Sequence, residues 1–354
     1  MSGIDGSWDA RFAGAAETFG RALDEGDGGA SAAVFVDGRP VLDVWGGYRD
    51  AEGSAAWERD TIVNVWSTTK TMVAVCALLL ADRGELDLDA AVAEYWPEFA
   101  AAGKSGVRVR HLLGHTAGLP TWDVPLTAAD LHDWRGVTDA LAAQAPAWPP
   151  GEAAGYHSIT FGFLVGEVIS RVSGRSVGRF FAEEIAAPLG ADFHIGLAPE
   201  HDHRVATLLP DPAGDRPEDF FVGVRDANTP AWRRAEIPAI NGHGNARSVA
   251  LVQSLLACGG TVNGTRLLAP ATCERVFEEQ FRGTDRVLGQ PIRWGLGYRL
   301  ENRTCSWGGW GGSLVFVDAD ARMSMAYTMN RVRWADGYAR ALDVLFAAYD
   351  GVLS

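Results

Sequence analysis

The sequence predicts an α+β fold: an antiparallel sheet built from both ends of the chain and flanked by helices, with a mostly helical lobe inserted between. Two observations carry this expectation. Segments of strand character gather at the two ends, and most helical spacing falls between residues 68 and 280. Near the start, Asp37-Gly38 stands between two apolar runs, a strong hairpin signal. A chain of 354 residues is long enough for one large domain or two intimate lobes. The expected division puts 1–66 and 285–354 in a sheet domain and 67–284 in a mostly helical one, with the site in the cleft between.

The elements follow in order. Trp8 to Glu25 has the apolar spacing of an amphipathic helix. Ala32 to Val36 and Pro40 to Trp45 form the hairpin around Asp37-Gly38. Thr61 to Trp66 is a short extended run. Thr68 to Arg83 reads as a mostly buried helix closed by Gly84. Further helices are expected at Thr127 to Gln144, Thr160 to Val172, Val177 to Ala187, Ala246 to Cys258 and Pro270 to Gln280. Pro199 to Pro238, rich in Asp, Pro and Arg, reads as surface loops of the kind that border binding sites. Strands return at Arg293 to Leu300, Ser313 to Val317 and Arg322 to Asn330, with a turn at Asp318-Ala319-Asp320. Tyr338 to Tyr349 is a closing amphipathic helix.

Composition narrows the function classes. The net charge is −14 and no Lys/Arg cluster is visible, which argues against a nucleic-acid partner. Cys76, Cys258, Cys273 and Cys305 show no CxxC spacing and read as free thiols of a reducing compartment. The N-terminus lacks a secretory pattern, and the longest apolar stretch, Met72 to Ala81, is too short to span a bilayer. The expectation is a cytoplasmic protein without a membrane partner. His201-Asp202-His203 has no further ligands nearby, so neither metal nor cofactor is expected.

Three segments carry chemistry. The first is Ser67-Thr68-Thr69-Lys70, ahead of an apolar helical run. Residues three apart share a helix face, so Ser67 and Lys70 would be neighbours at a helix N-terminus. A serine hydroxyl needs a base to become a nucleophile, and burial at a positive helix end favours the neutral amine. The alternative is an N-capping Ser67 beside a solvent-facing Lys70. The apolar neighbours Val65, Trp66, Met72 and Val73 weigh against it, and the chain has only two lysines, Lys70 and Lys104. The second segment is Pro150 to Ser158, with Tyr156 in a Gly-flanked loop before a helix; its phenol could relay a proton, or simply pack. The third is Ser306-Trp307-Gly308-Gly309-Trp310-Gly311-Gly312-Ser313, leading into a strand, read either as a surface for substrate or as a plain hairpin loop.

In this order and spacing the three segments resemble the serine β-lactamase and penicillin-binding-protein superfamily, with its S-x-x-K, Y-x-N and K-T-G motifs. His111 to Leu119 and Asn241 to Ala246 resemble stretches of its class C-like branch. The resemblance runs from about Ala32 to the last helix and implies a β-lactamase/transpeptidase-like fold. It implies Ser67 as nucleophile, Lys70 as its base partner, Tyr156 in proton transfer, and the backbone N–H groups of Ser67 and Trp310 as oxyanion hole.

The departures matter as much. The K-T-G position reads Trp307-Gly308-Gly309, without the cation and hydroxyl that help bind a substrate carboxylate. Trp-Gly-Gly is similar to the family VIII carboxylesterases. Trp307, Gly308, Gly309, Ser158 and Trp66 are therefore expected to contact substrate, Trp307 as an aromatic wall. The second motif is Tyr156-His157-Ser158, and His157 is expected to point away from the chemistry. The resemblance thus implies a carboxylesterase acting on a small-molecule acyl ester. An amidase or D-aminopeptidase, a weak β-lactamase and an acyltransferase remain as alternatives that use the same acyl-enzyme. The oligomeric state is not legible.

Overall fold

The computed structural model describes residues 3–26, 28–214, 221–334 and 337–353. Among these, nine strands form one sheet: β1 (Ile4–Trp8), β2 (Gly29–Val36), β3 (Arg39–Gly47), β4 (Phe281–Thr284), β5 (Pro291–Trp294), β6 (Arg299–Glu301), β7 (Thr304–Gly308), β8 (Leu314–Asp318) and β9 (Met323–Met329). Their order across the sheet is β1-β3-β2-β9-β8-β7-β6-β5-β4, with every neighbour antiparallel. The two ends of the chain meet at the β2–β9 seam, where Ala33 faces Ala326. The far edge begins at Phe281, ahead of residue 285.

Helices cover both faces. α1 (Ala13–Asp24) and α6 (Ala339–Leu353) pack on one face, in a core holding Phe19, Val34, Leu314, Met325 and Val344. The other face, with Ala33, Val315 and Val317, belongs to the larger core of the helical part. That part includes α2 (Thr69–Asp82), α3 (Trp134–Ala143), α4 (Thr160–Ser173) and α5 (Ala246–Ala257). Residues of α2 from Thr69 to Leu80 are all buried, so this helix shows no amphipathic stripe; it runs through the core.

Several elements differ from expectation for identifiable reasons. Trp8 ends an edge strand, and the helix starts only at Ala13. Strand β1 is almost wholly exposed, so alternation could not reveal it. Its Gly6 lies against β3, where a Cβ would stand 2.1 Å from the Asp43 carbonyl oxygen. The run Arg293 to Leu300 is two strands, because Gly297, at φ 86°, turns the chain between β5 and β6. The helix expected from Thr127 begins at Trp134, where the Asp133 side chain accepts the Gly136 N–H. The helix from Pro270 stops at Arg275. The one from Val177 extends to Leu189 through a π turn at Ala182–Ala186. The hairpin turn is as read: Asp37 and Gly38 both have positive φ, 51° and 73°.

The stretch Pro199 to Pro238 is not simply surface loop. It contains short helical turns at Pro199–Arg204, Val224–Ala227 and Pro230–Arg234, and Trp232 is fully buried; residues 215–220 lie outside the described residues. Asp202 pairs with Arg233 and Arg234.

Candidate active site

The site lies where the start of α2, the Tyr156 loop and the end of β7 converge. Ser67 sits on a short 3₁₀ turn, Trp66–Thr68, that feeds α2. It is 3 % exposed and does not cap the helix. The Lys70 Nζ lies 3.0 Å from the Ser67 Oγ and donates at 3.1 Å to the Ala239 carbonyl oxygen. Tyr156 Oη donates to the same Ser67 Oγ at 2.9 Å, from a residue 89 positions away. The structure therefore brings Ser67, Lys70 and Tyr156 together, with the serine oxygen between amine and phenol.

Burial sets the proton states. Burial alone holds the Lys70 ammonium well below its ordinary pKa, favouring the neutral amine. The same burial pushes the Tyr156 phenol above its ordinary value and keeps it protonated, opposed by the hydrogen bond it donates to Ser67 and the one it accepts from Trp307. A neutral amine can take the serine proton, and a protonated phenol has one to give.

Trp307 has a second role beyond that of a wall. Its indole N–H donates to the Tyr156 Oη at 3.2 Å, and its ring leans on Tyr156 with centroids 4.9 Å apart. A lysine or threonine would not provide that ring. Gly308, Ser158 and Trp310 line the cavity, together with Ser67, Tyr156 and Trp307.

Two expected contacts are corrected. Trp66 does not reach the cavity. It is fully buried at φ 49° and packed between Trp232 and Trp310, with ring centroids 6.0 and 4.9 Å away. A left-handed backbone at a bulky residue costs about 1–3 kcal/mol. Two interactions of neighbouring backbone hold this junction: the Thr69 hydroxyl donates to the Trp66 carbonyl oxygen at 2.6 Å, and Ser313 Oγ donates to the Val65 carbonyl oxygen at 2.8 Å. Gly309 is also not a cavity residue. Its N–H donates to the Ser313 carbonyl oxygen at 2.8 Å, and a Cβ there would stand 2.2 Å from the Val65 carbonyl oxygen. Its smallness lets the end of β7 pass close to the serine junction. Nor do the described residues of Pro199 to Pro238 line the cavity.

His157 points away from the chemistry. It accepts the Leu119 N–H at Nε2 and donates from Nδ1 to the Gly155 carbonyl oxygen, at 3.0 and 2.6 Å. Burial lowers its pKa to about 4, so it is a neutral brace for the loop.

Sequence reading missed the residues that hold Tyr156. The buried Asp285 accepts the Tyr156, Val287 and Leu288 N–H groups at Oδ1, at 3.0, 2.9 and 2.9 Å, and the Trp294 indole N–H at Oδ2, at 2.9 Å. It ties the Tyr156 loop to the cavity wall of Val287 and Leu288. His115 lies beneath, its ring centroid 5.2 Å from Tyr156 and 4.3 Å from Trp294, and accepts the His157 N–H at Nδ1. The segment His111 to Leu119 was visible as a motif, but nothing in its spacing told what His115 touches. Asp285 is 129 residues from Tyr156 and had no local signal.

The cavity measures about 560 Å³ and its wall near Ser67 is largely apolar, with Val287, Leu288, Ile292 and Trp307. This fold is that of a β-lactamase-like protein. The chain belongs to the beta-lactamase family, whose pattern it matches over residues 16–349. Among solved structures it is similar to a family VIII carboxylesterase, at 39% identity and a TM-score of 0.93 over 99% of this chain and all of that one. A penicillin-binding protein homologue from Caulobacter crescentus is 36% identical, with a TM-score of 0.91 over 99% and 100% of the two chains. The esterase/beta-lactamase LipL of Mycobacterium tuberculosis is 34% identical over 86% of this chain and 77% of its own.

Proposed function

We propose that this protein is a serine carboxylesterase that cleaves small-molecule acyl esters through an acyl-enzyme on Ser67. The observation that carries the proposal is the Ser67 Oγ held between the Lys70 amine and the Tyr156 phenol, inside a cavity whose K-T-G position offers an indole instead of a cation. The names of the relatives, a family VIII carboxylesterase and an esterase/beta-lactamase, support the same reading.

In this mechanism neutral Lys70 takes the Ser67 proton as the Oγ attacks the ester carbonyl. The backbone N–H groups of Ser67 and Trp310 stabilise the oxyanion. Tyr156 then protonates the departing alkoxide, and its O–H is made a better donor by the Trp307 N–H on its oxygen. Water repeats the attack on the acyl-enzyme with the same groups in reverse. Without the lysine of K-T-G, a substrate carboxylate has no ammonium partner at position 307, so β-lactams are poor substrates. The enzyme acts in the cytoplasm, a placement supported by its free thiols Cys76, Cys258, Cys273 and Cys305. Among the described residues, no helix is long and apolar enough to cross a membrane.

The test is turnover of p-nitrophenyl butyrate and of a chromogenic cephalosporin by the wild type and by Ser67→Ala. Ester cleavage that vanishes in Ser67→Ala, with little cephalosporin turnover, is the expected result. Rapid cephalosporin turnover, or ester turnover untouched in Ser67→Ala, would overturn it.

A further inference from the structure

The cavity is larger than the ester centre needs, and its outer half lies on the other face of the sheet. Strand alternation shows this. Trp307 faces the helical part and packs on Tyr156 and Trp294. Gly308, Ser306 and Thr304 therefore face the opposite way, toward α1 and α6. Their partners on β8 are Leu314, opposite Gly308, and Phe316, opposite Ser306. Leu314 belongs to the core under α6. Yet Ser306, Gly308, Leu314, Phe316 and Leu342 line the same cavity as Ser67 and Tyr156.

The two halves connect around an open strand edge. β6 pairs with β7 only from Thr304 to Ser306, because the chain turns away before Arg299. Among the described residues, Trp307 and Gly308 have strand partners on β8 alone. The edge is shaped by Gly308, whose Cβ position would lie 2.2 Å from the Tyr338 ring. Tyr338, 39 % exposed, thus packs against the Gly308 backbone at the crossing point. One turn on, Leu342 is half-buried, and Phe316 is half-buried with its ring 6.1 Å from Tyr349. Phe316 and Leu342 give this part of the cavity an apolar wall, and Arg299, Glu301, Thr304 and Ser306 line the cavity on the same face.

We propose that the site takes esters with one extended apolar arm, which leaves Ser67 around the open edge of β7, passes Tyr338, and lies on the far face of the sheet against Phe316 and Leu342. This rests on reading the site as an esterase centre, and specifies its substrate class. The arm needs roughly six carbons, since it must run past about two strand residues at ~3.3 Å each. A short acyl or alcohol group reaches only the compartment of Trp307 and Leu288. Each methylene laid in the trough should tighten binding by about fourfold, the usual gain for burying one.

Calorimetric titration in the Ser67→Ala background tests this without turnover. Two pairs of ligands vary one arm each: butyl against octyl acetate, and methyl butyrate against methyl octanoate. In one pair the long arm should bind at least about tenfold tighter. That preference should collapse in Leu342→Asp and, independently, in Phe316→Ser. It should persist in Phe346→Ser, which changes an exposed side chain of α6 outside the cavity lining. No preference in either pair, or a preference surviving both trough variants, overturns the proposal. Failure of the esterase reading shows separately, as absence of Ser67-dependent turnover of p-nitrophenyl butyrate by the wild type.

Discussion

Lys70→Met provides the sharpest test of the proton inventory. Burial holds the folded Lys70 well below its ordinary value, with no opposing cause. In the unfolded chain a lysine titrates near 10.4, so between the two values the unfolded state carries about one proton more. Stability therefore rises with pH across that window, by about 1.4 kcal/mol per pH unit, and falls as pH drops toward the folded value. Methionine keeps the stem's packing and removes the titration. It also loses the amine's contacts with Ser67 Oγ and the Ala239 carbonyl oxygen, worth about 1 kcal/mol each, but that loss carries no such pH slope. The difference in unfolding free energy between wild type and variant should thus change by about 1.4 kcal/mol per pH unit inside the window. Guanidinium titrations at pH 7, 8 and 9 measure it, and the pH at which the slope vanishes gives the folded pKa. Wild-type kcat/KM should fall below that same pH, where the amine becomes charged. Parallel stability curves for the two proteins would refute the argument: Lys70 would then be charged in the folded state and unfit as a base.

Tyr156→Phe should lower kcat by at least about a hundredfold with KM little changed, read from steady-state ester hydrolysis, since the proton donor is lost and the ring retained. Trp307→Phe should lower kcat by about fivefold, one neutral hydrogen bond's worth, through the lost N–H on Tyr156. A rate equal to wild type would reduce Trp307 to a wall. Asp285→Ala would strip the acceptor from four N–H donors and should destabilise by at least about 4 kcal/mol, seen in chemical denaturation. Lys104 is a structural counterexample to Lys70: its Nζ donates to the carbonyl oxygens of Ala101, Ala142 and Gln144. Lys104→Met should cost about 2 kcal/mol or more in unfolding free energy while leaving kcat unchanged.

Much of this was legible along the chain because the signals are local. Ser67 and Lys70 are three residues apart on one helical turn, and that spacing alone makes them neighbours. The Asp37-Gly38 turn needs only two consecutive residues tolerant of positive φ. The buried α2 announced itself as an unbroken apolar run. The exposed edge strand β1 did not, since a strand held by backbone pairing alone leaves no pattern in its side chains.

What the sequence by itself determined is the chemistry available: a serine and lysine on one turn, a tyrosine in a glycine-flanked loop, and a tryptophan at the place of the lysine of a K-T-G motif. What only the tertiary structure decided is which groups act on which. Asp285 reaches Tyr156 across 129 residues, and the Trp307 indole spends its one donor on the Tyr156 phenol. Trp66 sits one residue from the nucleophile yet is sealed beneath it by Trp232 and Trp310. The physical reason is common to all three. Hydrogen bonding and burial depend on distances in space, and adjacency in the chain fixes those distances only within a turn or two.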